Sequence, residues 1–223
     1  MLGYSNWVFA DGVLAMAMLS VSLYLRAALG MSLGNSAMVY KASMAFNYCA
    51  GIQMCYLLCV LTTRLHLHLN PLILTKRAVA VASARVFSVC LVALVIVGVV
   101  VMFDPNVQFA GTGIRLVQAA LVAIVVICIS LAIVVAFTMK CPGASYSKRH
   151  YAILYAALFL VTLWATFAGA RTLVPLDNAA HSNEIMQYLL IYVPLTLTGT
   201  IFVVLKAPRY FNFDLASQWQ AQL

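Results

Sequence analysis

Long apolar runs alternate with short polar connectors along the whole chain. The runs fall at about 7–25, 43–63, 79–103, 114–139, 151–170 and 185–205. Each is close to or beyond the roughly 20 apolar residues that an α-helix needs to cross a hydrocarbon layer about 30 Å thick. Six membrane-spanning helices are therefore predicted. Between them lie a Gly/Ser-containing loop (26–41), a basic loop (64–77), an Asp104-Pro105-Asn106 turn, a second basic loop (140–150), an acidic loop (171–184) and a tail from Lys206. None of these connectors reads as a linker, and no repeat of about 20–50 residues is visible. The expected fold class is all-α: a polytopic transmembrane helix bundle forming one domain over residues 1–223.

Composition sharpens this picture. The chain is 65% hydrophobic and only 8% charged, whereas a soluble domain carries about 25% charged residues. Six spans use roughly 120 positions and leave no room for a separate soluble domain, which excludes a P-loop motor or a Rossmann domain. The net charge of +8 would suggest nucleic acid in a soluble chain. Here it reads as basic loops facing the cytosol, with membrane lipids rather than nucleic acid as partners. The first Lys or Arg is Arg26, so the basic n-region of a cleaved signal peptide is missing and the first span is expected to be retained.

Loop charges set the expected orientation. The second and fourth loops and the tail carry Arg64, Lys76, Arg77, Lys140, Lys148, Arg149, Lys206 and Arg209, against Arg26, Lys41, Arg115 and Arg171 on the other side. Both termini are thereby placed in the cytosol, and the chain in the plasma membrane or an endomembrane. The first helix objects, because its nearest basic residue follows it. Loss of a preceding helix would remove the conflict.

Cys49, Cys55, Cys59, Cys90 and Cys128 lie inside apolar runs, and Cys141 alone lies in a connector. No C-x-x-C pair or disulfide framework is present. Cys55 and Cys59 share a helical face but supply too few soft ligands for a metal, so they read as packing. His66-Leu67-His68 places its imidazoles on different helical faces and reads as part of a juxtamembrane basic patch. No metal site and no cofactor are expected. The zincin, glycine-rich dinucleotide, Walker and nucleophile-elbow motifs are all missing.

An ionisable group at the bilayer centre costs about 2.5–3.5 kcal/mol on insertion scales, so each invites a functional hypothesis. Asp11, about one turn into the first span, is either a structural pair or an acid, and Arg85 is expected to snorkel to headgroups. Asp104, Asp177 and Glu184 fall on the non-cytosolic side with His181, Arg115 and Arg171. Converging carboxylates and a histidine could do acid–base work there. Solvated loop acids, or a Glu184 favoured by a helix N-terminus, explain them equally. Pro194 predicts a kink in the last span, with Thr196, Thr198 and Thr200 offering hydroxyls to freed carbonyls. Ala152/Ala156 and Ala165/Gly169 have the small-xxx-small spacing of close helix contacts. Trp7, Trp164 and the tyrosines, among them Tyr24, Tyr40, Tyr151 and Tyr188, fit interfacial belts.

The last two spans read Arg171-Thr172-Leu173, then Glu184-Ile185-Met186-Gln187-Tyr188, then Pro194, with Pro208 beyond the helix. This resembles the fungal lipid-translocating exporter-like family named for resistance to aminocholesterol, and related fungal seven-helix integral membrane proteins. In that family an Arg closes the penultimate helix and a Glu with a Tyr four residues later opens the last one. Gly113 to Phe137, a glycine before a long aliphatic helix, is also similar, so the likeness covers about 100 C-terminal residues. The family's acidic residue three after the Arg is Val174 here, and its Asp after the Tyr is Ile191. Six spans would correspond to a seven-helix fold lacking its first helix. The resemblance implies lipid or amphiphile handling, with Arg171, Glu184 and Tyr188 as the positions carried over.

Three functions follow as expectations. The first is a non-enzymatic protein that binds or translocates an amphiphilic small molecule, using a cavity near Pro194 with Arg171 and Glu184 at its mouth and Tyr188 as a further ligand-binding position. The second is a membrane-embedded cyclase or isomerase of small-molecule biosynthesis, with Asp11, Asp104, Asp177 or Glu184 as the acid. The third is a receptor-like helix bundle.

Overall fold

The computed structural model describes residues 3–30, 37–69, 74–140, 148–173, 186 and 188–204. Every regular element among them is helical: α1 (Gly3–Gly30), α2 (Ala37–Leu69), α3 (Leu74–Met102), α4 (Val107–Met139) and α5 (Lys148–Arg171). A π-helical turn (Tyr188–Tyr192) then runs into α6 (Val193–Val204). Helices satisfy their own backbone polar groups, which a chain this apolar must do where no water reaches it. The five stretches long and apolar enough to span are Ala10–Leu29, Met38–His66, Val79–Met102, Val107–Met139 and His150–Arg171. The sixth apolar run appears as the shorter Tyr188–Phe202. The architecture is that of a multi-pass integral membrane protein.

Boundaries differ from the sequence reading in informative ways. Helix α4 starts at Val107 because Asn106 caps it, its side chain accepting the Gln108 N–H. Gly111 and Gly113 therefore lie inside the helix, not ahead of it. Arg64, expected in the basic loop, is buried within α2, and Arg26 and Lys41 lie on α1 and α2 rather than in the loop joining them.

Side-chain contacts fix the helix directions. Ser22 meets Ser43 and Asp11 meets Gln53, so α1 and α2 are antiparallel. Trp164 meets Asn47 and Arg171 meets Tyr40, so α5 is antiparallel to α2. Cys55 meets Cys128 and His66 meets Thr138, so α4 is parallel to α2. Helix α2 is the central element: 78% of its most apolar window is buried, against 17–39% for the other four. It touches all five neighbours.

Small residues set the closest approaches. The benzo ring of Trp164 covers Gly51, and Gly113 lies against the α3 backbone at Gly98 and Met102. Gly199 lies under the Met16 thioether, which joins α6 to α1. Two expectations are corrected here. Trp164 is not an interfacial anchor: it is fully buried, and its indole N–H donates to Asn47 Oδ1 at 3.1 Å. Ala152 and Ala156 are exposed, so the close-contact pair of α5 is Ala165/Gly169, with Gly169 facing Leu121. The exposed apolar side chains of α3 and α4, such as Val86, Val97, Val100, Val122 and Ile129, form the surface that hydrocarbon would solvate.

Candidate functional site

Polar side chains are concentrated on the first half of α2. The Ser22 hydroxyl donates to the Ser43 carbonyl at 2.7 Å, the Ser43 hydroxyl donates to the Ser22 carbonyl at 3.1 Å, and the Tyr192 hydroxyl lies 3.1 Å from Ser22 Oγ. This stitches α1, α2 and the π-helical turn together. Asn47 accepts from Trp164, while its Nδ2 is buried without a partner among the described residues. Further along, Gln53 Nε2 donates to Asp11 Oδ1 at 3.1 Å. Each bond keeps a polar group off the hydrocarbon, where an unpaired one is expensive.

A cluster of cations and aromatic rings closes the end of the bundle that bears the 30–37, 102–107 and 171–188 connections. Arg171, the last residue of α5, donates from Nη2 to the Tyr40 hydroxyl at 2.8 Å, and its Nε is buried with no hydrogen-bond partner among the described residues. The Arg26 guanidinium stacks over the Tyr40 ring with Cζ 5.0 Å from the centroid, and Lys41 Nζ stands 5.3 Å from the Phe103 centroid. The Tyr40 and Phe103 rings meet edge to face at 5.7 Å. Three cations from three helices thus share two rings, and cation–π attraction offsets part of their mutual repulsion. Next to Phe103, Asp104 is exposed and accepts the Asn106 N–H at 2.8 Å.

A groove of about 390 Å³ lies between α2, α3 and α4. Ile52, Cys55, Tyr56 and Cys59 form one wall, Ala84, Phe87, Ser88 and Leu91 the other, and Ile127 the floor. Ser83 and Phe87 on its rim are exposed, so it opens sideways toward the lipid-facing surface. Its volume lies in the range of small-molecule pockets, about 300–1,000 Å³. Asp11 and Gln53 lie on the other flank of α2, and Arg85, exposed on α3, is the cation whose field reaches Asp11.

Of the expected site residues, the described ones lie at the end of α5, in the π-helical turn and at the start of α6. Arg171 lies in the cation–aromatic cluster. The Tyr188 ring packs against Tyr192 at 5.5 Å, and Pro194 is buried at the second position of α6. The groove lies between α2, α3 and α4, away from Pro194. Glu184, Asp177 and His181 lie outside the described residues. Asp11 and Asp104 lie at different levels of the bundle: Asp11 pairs with Gln53, midway along α2, whereas Asp104 follows Phe103 at the Tyr40 end, about 20 Å away at 1.5 Å per residue of α2. The proline break appears as the π-helical turn, in which carbonyls pair five residues on and the ladder steps past the missing N–H. Thr196, Thr198 and Thr200 bond to the carbonyls of Tyr192, Pro194 and Thr196, each four residues back.

Sequence reasoning missed the groove, Tyr192, and the pairing of Arg26 and Lys41 with rings. The available signal was the spacing of Tyr40, Ser43 and Asn47 along one helical face. No family model, curated protein or solved structure matches the chain significantly.

Proposed function

We propose that this integral membrane protein binds, and hands between membrane compartments or leaflets, a lipid-like or amphiphilic small molecule that reaches it from within the bilayer. The observation that carries the reading is the apolar groove of about 390 Å³ between α2, α3 and α4, open on its side and lined almost wholly by apolar atoms. A ligand entering there exchanges lipid contacts for protein contacts without crossing water, so selectivity rests on shape and on polar groups at the ends. The resemblance of Arg171, Glu184, Tyr188 and Pro194 to the fungal lipid-translocating exporter-like family supports the same reading. Acid–base catalysis would need converging carboxylates, and the two described ones, Asp11 and Asp104, stand at different levels of the bundle, one beside Gln53 and the other beside Phe103.

The test is direct binding of a pyrene-labelled fatty acid to the purified protein in detergent, comparing wild type with Ala84→Trp, which fills the groove. A loss of affinity of about tenfold, near 1.4 kcal/mol, with unfolding temperature maintained is the expected result. Equal affinity of the two proteins would contradict the assignment.

A further inference from the structure

Resting on that reading, we infer that the cation–aromatic cluster at the Arg171 end of the bundle is a headgroup site, and that the amphiphile it takes is an anion bearing a phosphate or carboxylate group. Arg26, Lys41 and Arg171 come from three different helices and converge on the Tyr40 and Phe103 rings. Among the described residues, neither Lys41 nor Arg171 has a carboxylate within ion-pair distance. Arg171 uses Nη2 on Tyr40 and leaves Nε buried and unpaired among the described residues, which is half of the fork that arginine presents to an oxyanion. Holding Lys41 and Arg171 at the edge of hydrocarbon with no carboxylate beside them among the described residues is costly, and an anion shared between them removes that cost.

The position relative to the groove fits one molecule. Along α2, Tyr40 precedes the first groove residue, Ile52, by twelve positions, or about 18 Å at 1.5 Å per residue. A leaflet's hydrocarbon is about 15 Å deep. A headgroup at the cluster therefore places the end of a long chain at the level of the groove, along the same α2–α3 seam that Tyr40 and Phe103 close.

The experiment compares dioleoyl phosphatidic acid with dioleoyl phosphatidylcholine binding to the full chain in nanodiscs, read by native mass spectrometry, with inorganic phosphate as a competitor. The wild type should prefer the anionic lipid by about fivefold or more, as charge-assisted contacts predict. Lys41→Ala and Arg171→Gln should each reduce that preference toward one, Arg171→Lys should keep part of it, and free phosphate should not compete. Lys41→Ala removes no hydrogen bond, so it reports even where Arg171→Gln folds poorly. A preference unchanged by these substitutions would overturn the headgroup site, as would competition by millimolar phosphate alone. So would a preference seen only after Asp177→Asn with Glu184→Gln. If both lipids bind equally and both are displaced by Ala84→Trp, the headgroup inference fails and the amphiphile reading stands. If neither lipid binds, both fail.

Discussion

The benzo ring of Trp164 occupies the space where a side chain at Gly51 would begin: a β-carbon built there overlaps ring atoms Cη2, Cζ3 and Cζ2. The contact joins α5 to the central helix, and the indole N–H secures it through Asn47. Gly51→Ala must push a fully buried ring off its seat and should destabilise the protein by about 1–3 kcal/mol. Gly111→Ala is the matched control, because nothing lies within 4 Å of a β-carbon there. Its effect should be neutral or stabilising by up to about 1 kcal/mol. Thermal unfolding of both variants in one detergent decides the point; an equal loss at the two positions would contradict the packing described.

The Tyr192 hydroxyl ties the π-helical turn to α1 and α2 through Ser22 and Ser43. Tyr192→Phe keeps the ring and removes that link, for an expected loss of about 0.6–1.7 kcal/mol, the size of interhelical hydrogen bonds in membranes. Tyr24→Phe alters a ring that is 75% exposed and should leave stability unchanged. The same unfolding assay measures both.

Asp11 accepts a hydrogen bond from Gln53, which a carboxamide can also do. Asp11→Asn should therefore fold within about 0.5 kcal/mol of wild type, while Asp11→Leu leaves the Gln53 amide unpaired and costs about 1 kcal/mol. Paired metabolite profiles of cells carrying wild type or Asp11→Asn separate structure from chemistry. A product lost in Asp11→Asn at normal protein level would make Asp11 an acid catalyst and contradict the binding account.

Cys141 is the one cysteine that the sequence puts in a connector, beside Lys140 in the 140–150 loop. If both termini are in the cytosol, as the loop charges predict, a membrane-impermeant maleimide should label Cys141 only after the membrane is permeabilised. Labelling of intact cells would reverse the orientation drawn from loop charges.

The helices were legible in the sequence because crossing hydrocarbon demands length and apolarity, which any linear reading detects. Helix partners were not, because in lipid every face of a span is apolar and periodicity no longer marks the buried one. Ala152 and Ala156 have the spacing of a contact yet face outward, while Gly98 and Gly113, on different helices, make one. Trp164 shows the same gap: an aromatic ring suits the interface or the interior, and only the neighbouring Gly51 and Asn47 decide between them. Arg171 was singled out from its place at a helix end, but its contact with Tyr40 spans 131 residues of sequence and no local motif encodes it. The groove has no sequence signature at all, since it is a gap left where Ala84 and Ser88 face Cys55 and Cys59 across two helices.

The most direct test of the central claim is photo-crosslinking in native membranes with a fatty acid carrying a diazirine near its methyl end, followed by peptide mapping. The account predicts adducts concentrated on the groove walls, at 52–59 of α2 and 83–91 of α3, suppressed by Ala84→Trp. Adducts spread evenly over the exposed faces of α3 and α4, unchanged by that substitution, would show ordinary lipid contact and contradict a binding site there.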